Sequence, residues 1–186
     1  GHANVVSILL EGGANIDAQD DGDRTALYMA AENKKLDVMK VLLEGGADVK
    51  LPDVGEDTPL HIATHKDVVE LLFEYGATVD SANDDGFTPL HVAVTARRNL
   101  NVIQALLAHG ADVNTCAGRF EQTPLHVAAS RPDCDVVRSL LDHGADVGAR
   151  AIEDLTPLHD ASPEVAELLI SFGADMNARN EDDRAP

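Results

Sequence analysis

The stretch Thr88-Pro-Leu-His91 recurs along the chain as Thr58-Pro-Leu-His61, Thr123-Pro-Leu-His126 and Thr156-Pro-Leu-His159, and in a variant form as Thr25-Ala-Leu-Tyr28. The threonines of these five copies lie 33, 30, 35 and 33 residues apart. A period of this length is typical of a solenoid of stacked repeats and not of a single globular core. We therefore expect each repeat to bury its apolar residues against its neighbours.

A second series with the same period consists of glycines, each of which follows an apolar run and precedes an alanine. Its members are Gly13, Gly46, Gly76, Gly110, Gly144 and Gly173. Glycine readily takes the left-handed conformation that ends a helix. Together the two series resemble the ankyrin repeat. The resemblance covers essentially the whole chain, and it implies an all-α ankyrin-repeat solenoid of stacked helix-turn-helix units with short β-hairpin fingers.

The TPLH motif itself is a helix start. Threonine caps free backbone amides, and proline suits the first helical position, where its missing N–H is not needed. The leucine is expected to point into the stack, and the small alanine three residues later lets neighbouring helices approach closely. The resemblance implies that the histidine ties the inner helix to the backbone of a neighbouring finger.

The period divides the chain into a single array over residues 1–186. We expect a partial repeat over residues 1–19, repeats over about 20–52, 53–82, 83–117, 118–150 and 151–179, and the start of a further repeat over 180–186. Both ends fall inside the period, and polar capping repeats are not recognisable. The sequence is therefore expected to be a piece of a longer protein.

Three places depart from the regular period. The third and sixth repeats, after Leu60 and Leu158, are shorter than the others by about one helical turn. Since their fingers and caps are intact, the loss is expected at the turn between the two helices. Extra residues around Arg97-Arg-Asn99 lengthen the turn of the fourth repeat, and Ala117-Gly-Arg-Phe120 lengthens the next finger.

The formal net charge is −19, from 33 acidic and 14 basic residues. This charge argues against nucleic acid or an anionic membrane as a partner. We expect a neutral or basic protein partner and a monomeric chain. The two cysteines are expected to be reduced, although their spacing leaves a disulfide open, and a cytoplasmic or nuclear location follows, with a secreted effector as the alternative.

The acidic residues fall into two groups. Eight of them stand where short polar side chains serve turns, and we assign them a structural role: Asp17, Asp20, Asp48, Asp53, Asp80, Asp112, Asp146 and Asp175. The remaining acidic excess of the fingers clusters in the N-terminal half, at Asp21, Asp23, Glu56, Asp57, Asp84 and Asp85. Of these, Asp21, Asp57, Asp84 and Asp85 are predicted to contact a basic partner, with a solubility role as the alternative.

Histidines and acids also suggest chemistry, with Asp154, His159 and Asp160 as the first candidates for a metal or catalytic site. The repeat explains them otherwise, because His61, His91, His126 and His159 all occupy the same motif position. Repeating positions do not converge as metal ligands must. We therefore predict no catalytic residue, no metal, no cofactor and no enzymatic activity.

The leading hypothesis is a protein-interaction module that binds through finger tips and the exposed face of the inner helices. Apolar residues at the later finger tips, Phe87, Phe120, Ile152 and Leu155, are predicted to form one patch with Arg119 and Arg131 beside it. The alternative for the patch is that Phe120 folds back onto its lengthened finger and Leu155 onto the adjacent helix. The alternative functions are a recruiting arm of a larger enzyme or effector and a structural spacer.

Overall fold

A computed structural model describes residues 2–96 and 99–186 of the chain. Within these residues it forms nine α-helices. They are α1 (Ala3–Glu11), α2 (Ala26–Glu32), α3 (Leu36–Glu44), α4 (Lys66–Glu74), α5 (Pro89–Thr95), α6 (Leu100–Ala108), α7 (Pro124–Ala129), α8 (Cys134–Asp142) and α9 (Pro163–Ser171). The predicted all-α class is confirmed.

The helices form two layers. The inner layer contains α2, α5 and α7, and the outer layer contains α1, α3, α4, α6, α8 and α9. Helices pack within a repeat, as α5 with α6 and α7 with α8, and between repeats, as α5 with α7 and α6 with α8. The motif leucines point into this stack as predicted, since Leu60, Leu90, Leu125 and Leu158 are all buried.

Helix starts follow the chemistry of the TPLH motif. Thr25, Thr88 and Thr123 are the N-cap residues of α2, α5 and α7, and Pro89 and Pro124 occupy the first position of their helices. The hydroxyl of Thr25 accepts a hydrogen bond from the backbone N–H of Tyr28 at 3.1 Å. The motif therefore fixes where three inner helices begin.

The two short repeats differ from the prediction. We expected the missing residues to shorten the turn between the two helices. Instead the inner helix itself is shortened, to a single turn after Thr58 and after Thr156. Their backbone bonds span three residues, from His61 N to Thr58 O at 2.9 Å and from His159 N to Thr156 O at 3.0 Å. The segments between Thr58 and α4 and between Thr156 and α9 are too short for an α-helix, in which each backbone hydrogen bond spans four residues.

The outer helices end as predicted. Gly13, Gly46, Gly76, Gly110, Gly144 and Gly173 all have φ between 85° and 95°. A non-glycine residue is strained in this conformation, because its Cβ crowds the following carbonyl oxygen. Each glycine therefore sets the point at which the chain turns away from an outer helix toward the next finger.

Over residues 2–96 and 99–186, six tight hairpin turns form the fingers, each closed by a backbone hydrogen bond of 2.9–3.1 Å between its end residues. We number them finger 1 (20–24), finger 2 (53–57), finger 3 (83–87), finger 4 (117–122), finger 5 (151–155) and finger 6 (180–184). Among the described residues the β structure of the fingers is limited to two isolated bridges, Gln19 with Thr25 and Ala117 with Gln122. The hairpins are therefore too short to form pairs of regular β-strands.

Finger 4 is one residue longer than the others, because its closing bond joins Ala117 to Gln122. This confirms the predicted extension at Ala117-Gly-Arg-Phe120. The other predicted extension, around Arg97-Arg-Asn99, lies outside the described residues at Arg97 and Arg98.

We predict that Gly144→Val destabilises the fold by about 1–2 kcal/mol, because φ is +87° at this position. Apart from Gly144 and its two chain neighbours, no described atom lies within 4 Å of the site where a Cβ would stand, so the cost comes from the backbone and not from a clash. Gly148→Val is the matched control, since Gly148 lies nearby outside the left-handed region. Chemical denaturation measures both variants, and equal midpoints would contradict the prediction.

Candidate functional site

The motif histidines join each repeat to the next finger. The backbone N–H of Thr88 donates to Nδ1 of His91 at 3.3 Å, and Nε2 of His91 donates to the carbonyl of Gln122 at 3.2 Å. The same pair of contacts links His61 to Phe87, His126 to Leu155 and His159 to Arg184. The prediction that these rings tie inner helices to finger backbones is confirmed.

These contacts fix the chemical state of the rings. Because Nδ1 accepts a hydrogen bond, the proton resides on Nε2, and the ring is neutral. Burial lowers the pKa of His61, His91 and His126, and the hydrogen bonds to backbone carbonyls offset only part of that effect. The two nitrogens are thus occupied by the scaffold.

In the first motif Tyr28 takes the place of histidine. Its hydroxyl donates to Oδ2 of Asp53 in finger 2 at 2.8 Å. Burial, followed by the bond to Asp53, raises the pKa of Tyr28, so the hydroxyl stays protonated. The link from inner helix to next finger therefore survives the substitution with a different donor.

The candidate trio of Asp154, His159 and Asp160 does not form a catalytic arrangement, because both nitrogens of His159 are engaged with Thr156 and Arg184. Over residues 2–96 and 99–186, no group of three His, Cys, Asp or Glu side chains is placed to hold a metal ion. The same ranges contain no helix that is long and apolar enough to cross a membrane. Cys116 and Cys134 are free thiols.

Successive finger tips are joined directly by their backbones. The N–H of a residue in each finger from 2 to 6 donates to a carbonyl of the preceding finger at 3.0–3.1 Å; two of these bonds run from Gly118 to Asp85 and from Ile152 to Phe120. The fingers therefore form one continuous edge, and side chains at neighbouring tips lie side by side.

Four fingers share a side-chain turn. In fingers 1, 2, 3 and 6 the side-chain oxygen of the first residue accepts two backbone N–H bonds of 2.9–3.1 Å; these residues are Asp20, Asp53, Asn83 and Asn180. In fingers 4 and 5 the first residue is Ala117 or Ala151, which has no such oxygen. This difference was not predicted, although the sequence shows it as an alanine in the position where the other fingers have aspartate or asparagine.

The apolar residues predicted for one patch separate into two kinds. Phe120 and Ile152, on fingers 4 and 5, expose 51% and 42% of their surface. Leu155 and Phe87 are half-buried. Cζ of Phe87 lies 3.0 Å from where a Cβ on Gly118 would stand, and its ring is 5.8 Å from that of His91. Phe87 is thus largely a packing residue, whereas the alternative interpretation had named Phe120 and Leu155 as the side chains that fold back onto the scaffold.

Two depressions flank Phe120. The first, about 350 Å³, lies toward finger 3 and is lined by residues that include Asp85, Phe87 and Gly118. The second, about 340 Å³, lies toward finger 5 and is lined by residues that include Ile152, Leu155 and Asp160. Arg119, Phe120 and Gln122 border both depressions. Asp160 was not among the predicted binding residues.

The two arginines predicted beside the patch lie in different places. The guanidinium of Arg119 stacks on the ring of Phe120, with 4.6 Å from Cζ to the ring centroid. Arg131 instead follows the C-terminal end of α7, and its Nη1 donates to the carbonyls of Val94 and Thr95 at 2.7 and 3.0 Å. These are the last carbonyls of α5, where a cation is favoured. The placement of Arg131 beside the patch was therefore wrong.

The four acidic residues predicted to contact a partner differ in exposure. Asp21, Asp84 and Asp85 are exposed at the tips of fingers 1 and 3. Asp57 is half-buried, and its carboxylate accepts a hydrogen bond from the side-chain amide of Asn83 at 2.9 Å. Asp57 therefore joins fingers 2 and 3, and its contact with a basic partner stays a prediction.

The eight acids assigned to turns all belong to finger or loop turns. Oδ1 of Asp48 accepts from Lys50 N, and Oδ1 of Asp80 accepts from Asp112 N at the next repeat. The hydrogen bond from the Arg24 side chain is the main cause that lowers the pKa of Asp20 to about 2. These carboxylates are structural, which leaves the exposed tips as the candidate acidic surface.

Comparison with known proteins agrees with this geometry. Family models described as "Ankyrin repeats (3 copies)" match residues 51–116 and 115–180, and one described as "Ankyrin repeats (many copies)" matches residues 2–63. A comparison with curated protein sequences finds no match. The crystal structure of the ankyrin repeat domain of Bcl-3, described as a unique member of the IkappaB protein family, is similar at a TM-score of 0.86 and 27% identity. The similarity covers 99% of this chain and 85% of that one.

The neutral histidines make stability depend on pH. Because burial lowers the pKa of His61, His91 and His126 below the unfolded value of roughly 6.5, the unfolded chain takes up protons first as the pH falls. Their contribution is fully present above about pH 6.5 and is lost below it, toward the folded-state pKa. We predict that His91→Gln is less stable than the parent at about pH 7.5 and that this deficit shrinks by about pH 5.5.

Denaturant unfolding at both pH values measures this difference. The exposed His65 provides the control, since His65→Gln is expected to follow the parent at each pH. A deficit of the His91 variant that stays constant with pH would contradict the prediction.

Replacing Phe87 and replacing Phe120 by alanine should have different effects on the free energy of unfolding. We predict that Phe87→Ala costs about 1–2 kcal/mol, below the roughly 3–5 kcal/mol typical of fully buried sites, because its ring is half-buried on Gly118. Phe120→Ala should change stability by no more than about 0.5 kcal/mol, as is usual for exposed positions. Thermal or chemical unfolding of both variants tests this, and a larger loss for Phe120→Ala would show that Phe120 belongs to the scaffold.

Proposed function

The chain belongs to the ankyrin-repeat family, and from this premise we propose that it binds a neutral or basic protein partner through its finger tips and the adjoining inner-helix face. Ankyrin repeats are generally protein–protein interaction modules. The fold is also typically a non-catalytic binding module, and we propose no catalytic role for these residues. We place the centre of the binding surface at Phe120.

The observation that carries the proposal is the exposed apolar cluster on fingers 4 and 5. Phe120 and Ile152 gain little from the stack, since about half of each side chain faces solvent. Exposed apolar residues that cluster beside polar rims mark interaction sites more often than isolated ones do. A structural spacer has no use for such a cluster, so the cluster favours recognition over that alternative.

Charge supports the same surface. Asp84 and Asp85 lie exposed on finger 3, next to the depression that Phe120 borders. With a net charge of −19, the chain attracts a basic partner over distances comparable to the screening length. We further propose a monomer in the cytoplasm or nucleus, a setting that suits the two free thiols. The role of a recruiting arm in a larger protein is compatible with the same surface.

We predict that Phe120→Ala combined with Ile152→Ser weakens partner binding about tenfold or more while the helical content is unchanged. A partner captured with the intact chain as bait is identified, and its affinity for each variant is then measured. Val54→Ser is the matched control, because Val54 is an apolar residue that is 71% exposed on finger 2, away from the cluster. Equal affinities for the two variants would contradict the proposed surface.

Electrostatic steering gives a separate prediction for the same complex. Raising the salt from low to physiological concentration should slow association, and the Asp84→Asn, Asp85→Asn double variant should show a smaller salt effect. The control is Asp37→Asn, an exposed acid in the first turn of α3. An association rate that does not change with salt concentration would show that the acidic fingers do not contribute to binding.

A further inference from the structure

Fingers 4 and 5 differ from the other fingers in what holds their turns. Ala117 and Ala151 stand where the other four fingers use a carboxylate or amide oxygen to bind two backbone N–H groups. Finger 5 also holds Glu153 and Asp154 at φ of 62° and 56°. This left-handed conformation costs roughly 1–2 kcal/mol for a non-glycine residue. The two fingers that lack the stabilising turn are also the two that expose Phe120 and Ile152.

The second depression lies between these two fingers. Its lining includes the apolar residues Phe120, Ile152 and Leu155 and the acidic residues Glu153 and Asp160. Asp160 belongs to the single turn that replaces the inner helix of the sixth repeat. The depression therefore extends from the finger tips to the inner layer.

Its size and charge limit what can bind. A volume of about 340 Å³ is at the small end of the roughly 300–1,000 Å³ range of ligand pockets, which suits one or two side chains and not a whole helix. Two acidic residues, Glu153 and Asp160, and one basic residue, Arg119, line the depression and give it an excess of negative charge. The guanidinium of Arg119 is stacked on Phe120, so it forms part of the wall.

We propose that the second depression binds an extended segment of the partner protein in which a large apolar side chain contacts Phe120, Ile152 and Leu155 while an adjoining lysine or arginine pairs with Glu153 and Asp160. The inference rests on the proposed function and specifies its ligand chemistry. The apolar contact supplies most of the affinity, since desolvated anchors dominate such interfaces. The charge pair selects basic over acidic segments.

A library of random twelve-residue peptides displayed on phage, selected against the whole chain, provides the probe. The enriched peptides should combine a large apolar residue with a lysine or arginine one or two positions away. Binding of a synthesised, fluorescently labelled winner should weaken about tenfold or more with Ile152→Ser and remain unchanged with Val54→Ser. Circular dichroism and unfolding midpoints confirm that both variants are folded.

A double-mutant cycle tests the charge pair directly. Replacing the basic residue of the peptide by glutamine should weaken binding several-fold to the parent chain and less to the Asp160→Asn chain. Equal losses for the two chains would overturn the assignment of Asp160. Failure to enrich any peptide, or enrichment of peptides without a basic residue, would overturn the proposal as a whole.

Measurements with the captured protein partner distinguish a failure of the proposed peptide chemistry from a failure of the proposed function. If partner binding depends on Phe120 and Ile152 but the selected peptides lack the apolar and basic pair, the proposed function stands and the ligand chemistry is wrong. If neither partner nor peptide binding changes in these variants, both proposals fail.

Discussion

The hydrogen bond from a motif histidine to the next finger is the interaction on which the rest of the structure depends. Nδ1 of His91 accepts from the helix start of its own repeat, and Nε2 donates to Gln122 in the following finger. One neutral ring thereby fixes an inner helix relative to a hairpin 31 residues away. Because three of these rings are deeply buried, the geometry of the finger edge is coupled to the packed core.

This coupling places the candidate binding surface on a rigid base. His126 donates to the carbonyl of Leu155, so finger 5 is held by the repeat that carries finger 4. The tip bond from Ile152 to Phe120 adds a second connection between the same two fingers. The exposed apolar side chains can therefore vary in chemistry without loss of the frame, which is how a repeat scaffold presents a specific surface.

The periodic features of the sequence predicted the frame, and the features that break the period were harder to interpret. The motif leucines, the left-handed glycines and the turn acids each repeat, so their roles followed from spacing and residue chemistry. The single turns after Thr58 and Thr156 did not follow, because a missing helical turn can be lost from either a helix or a loop. The contacts of Arg131 with the carbonyls of α5 and of Asp57 with the amide of Asn83 did not follow either, because stacking of the repeats is what brings these groups together.

Amide hydrogen exchange of the chain, measured free and bound to its identified protein partner, locates the binding surface. We expect slower exchange on binding in residues 117–122 and 151–155, with little change in the outer helices α3, α6 and α8. Protection confined to those outer helices, with fingers 4 and 5 unaffected, would show that the partner does not bind at the finger tips.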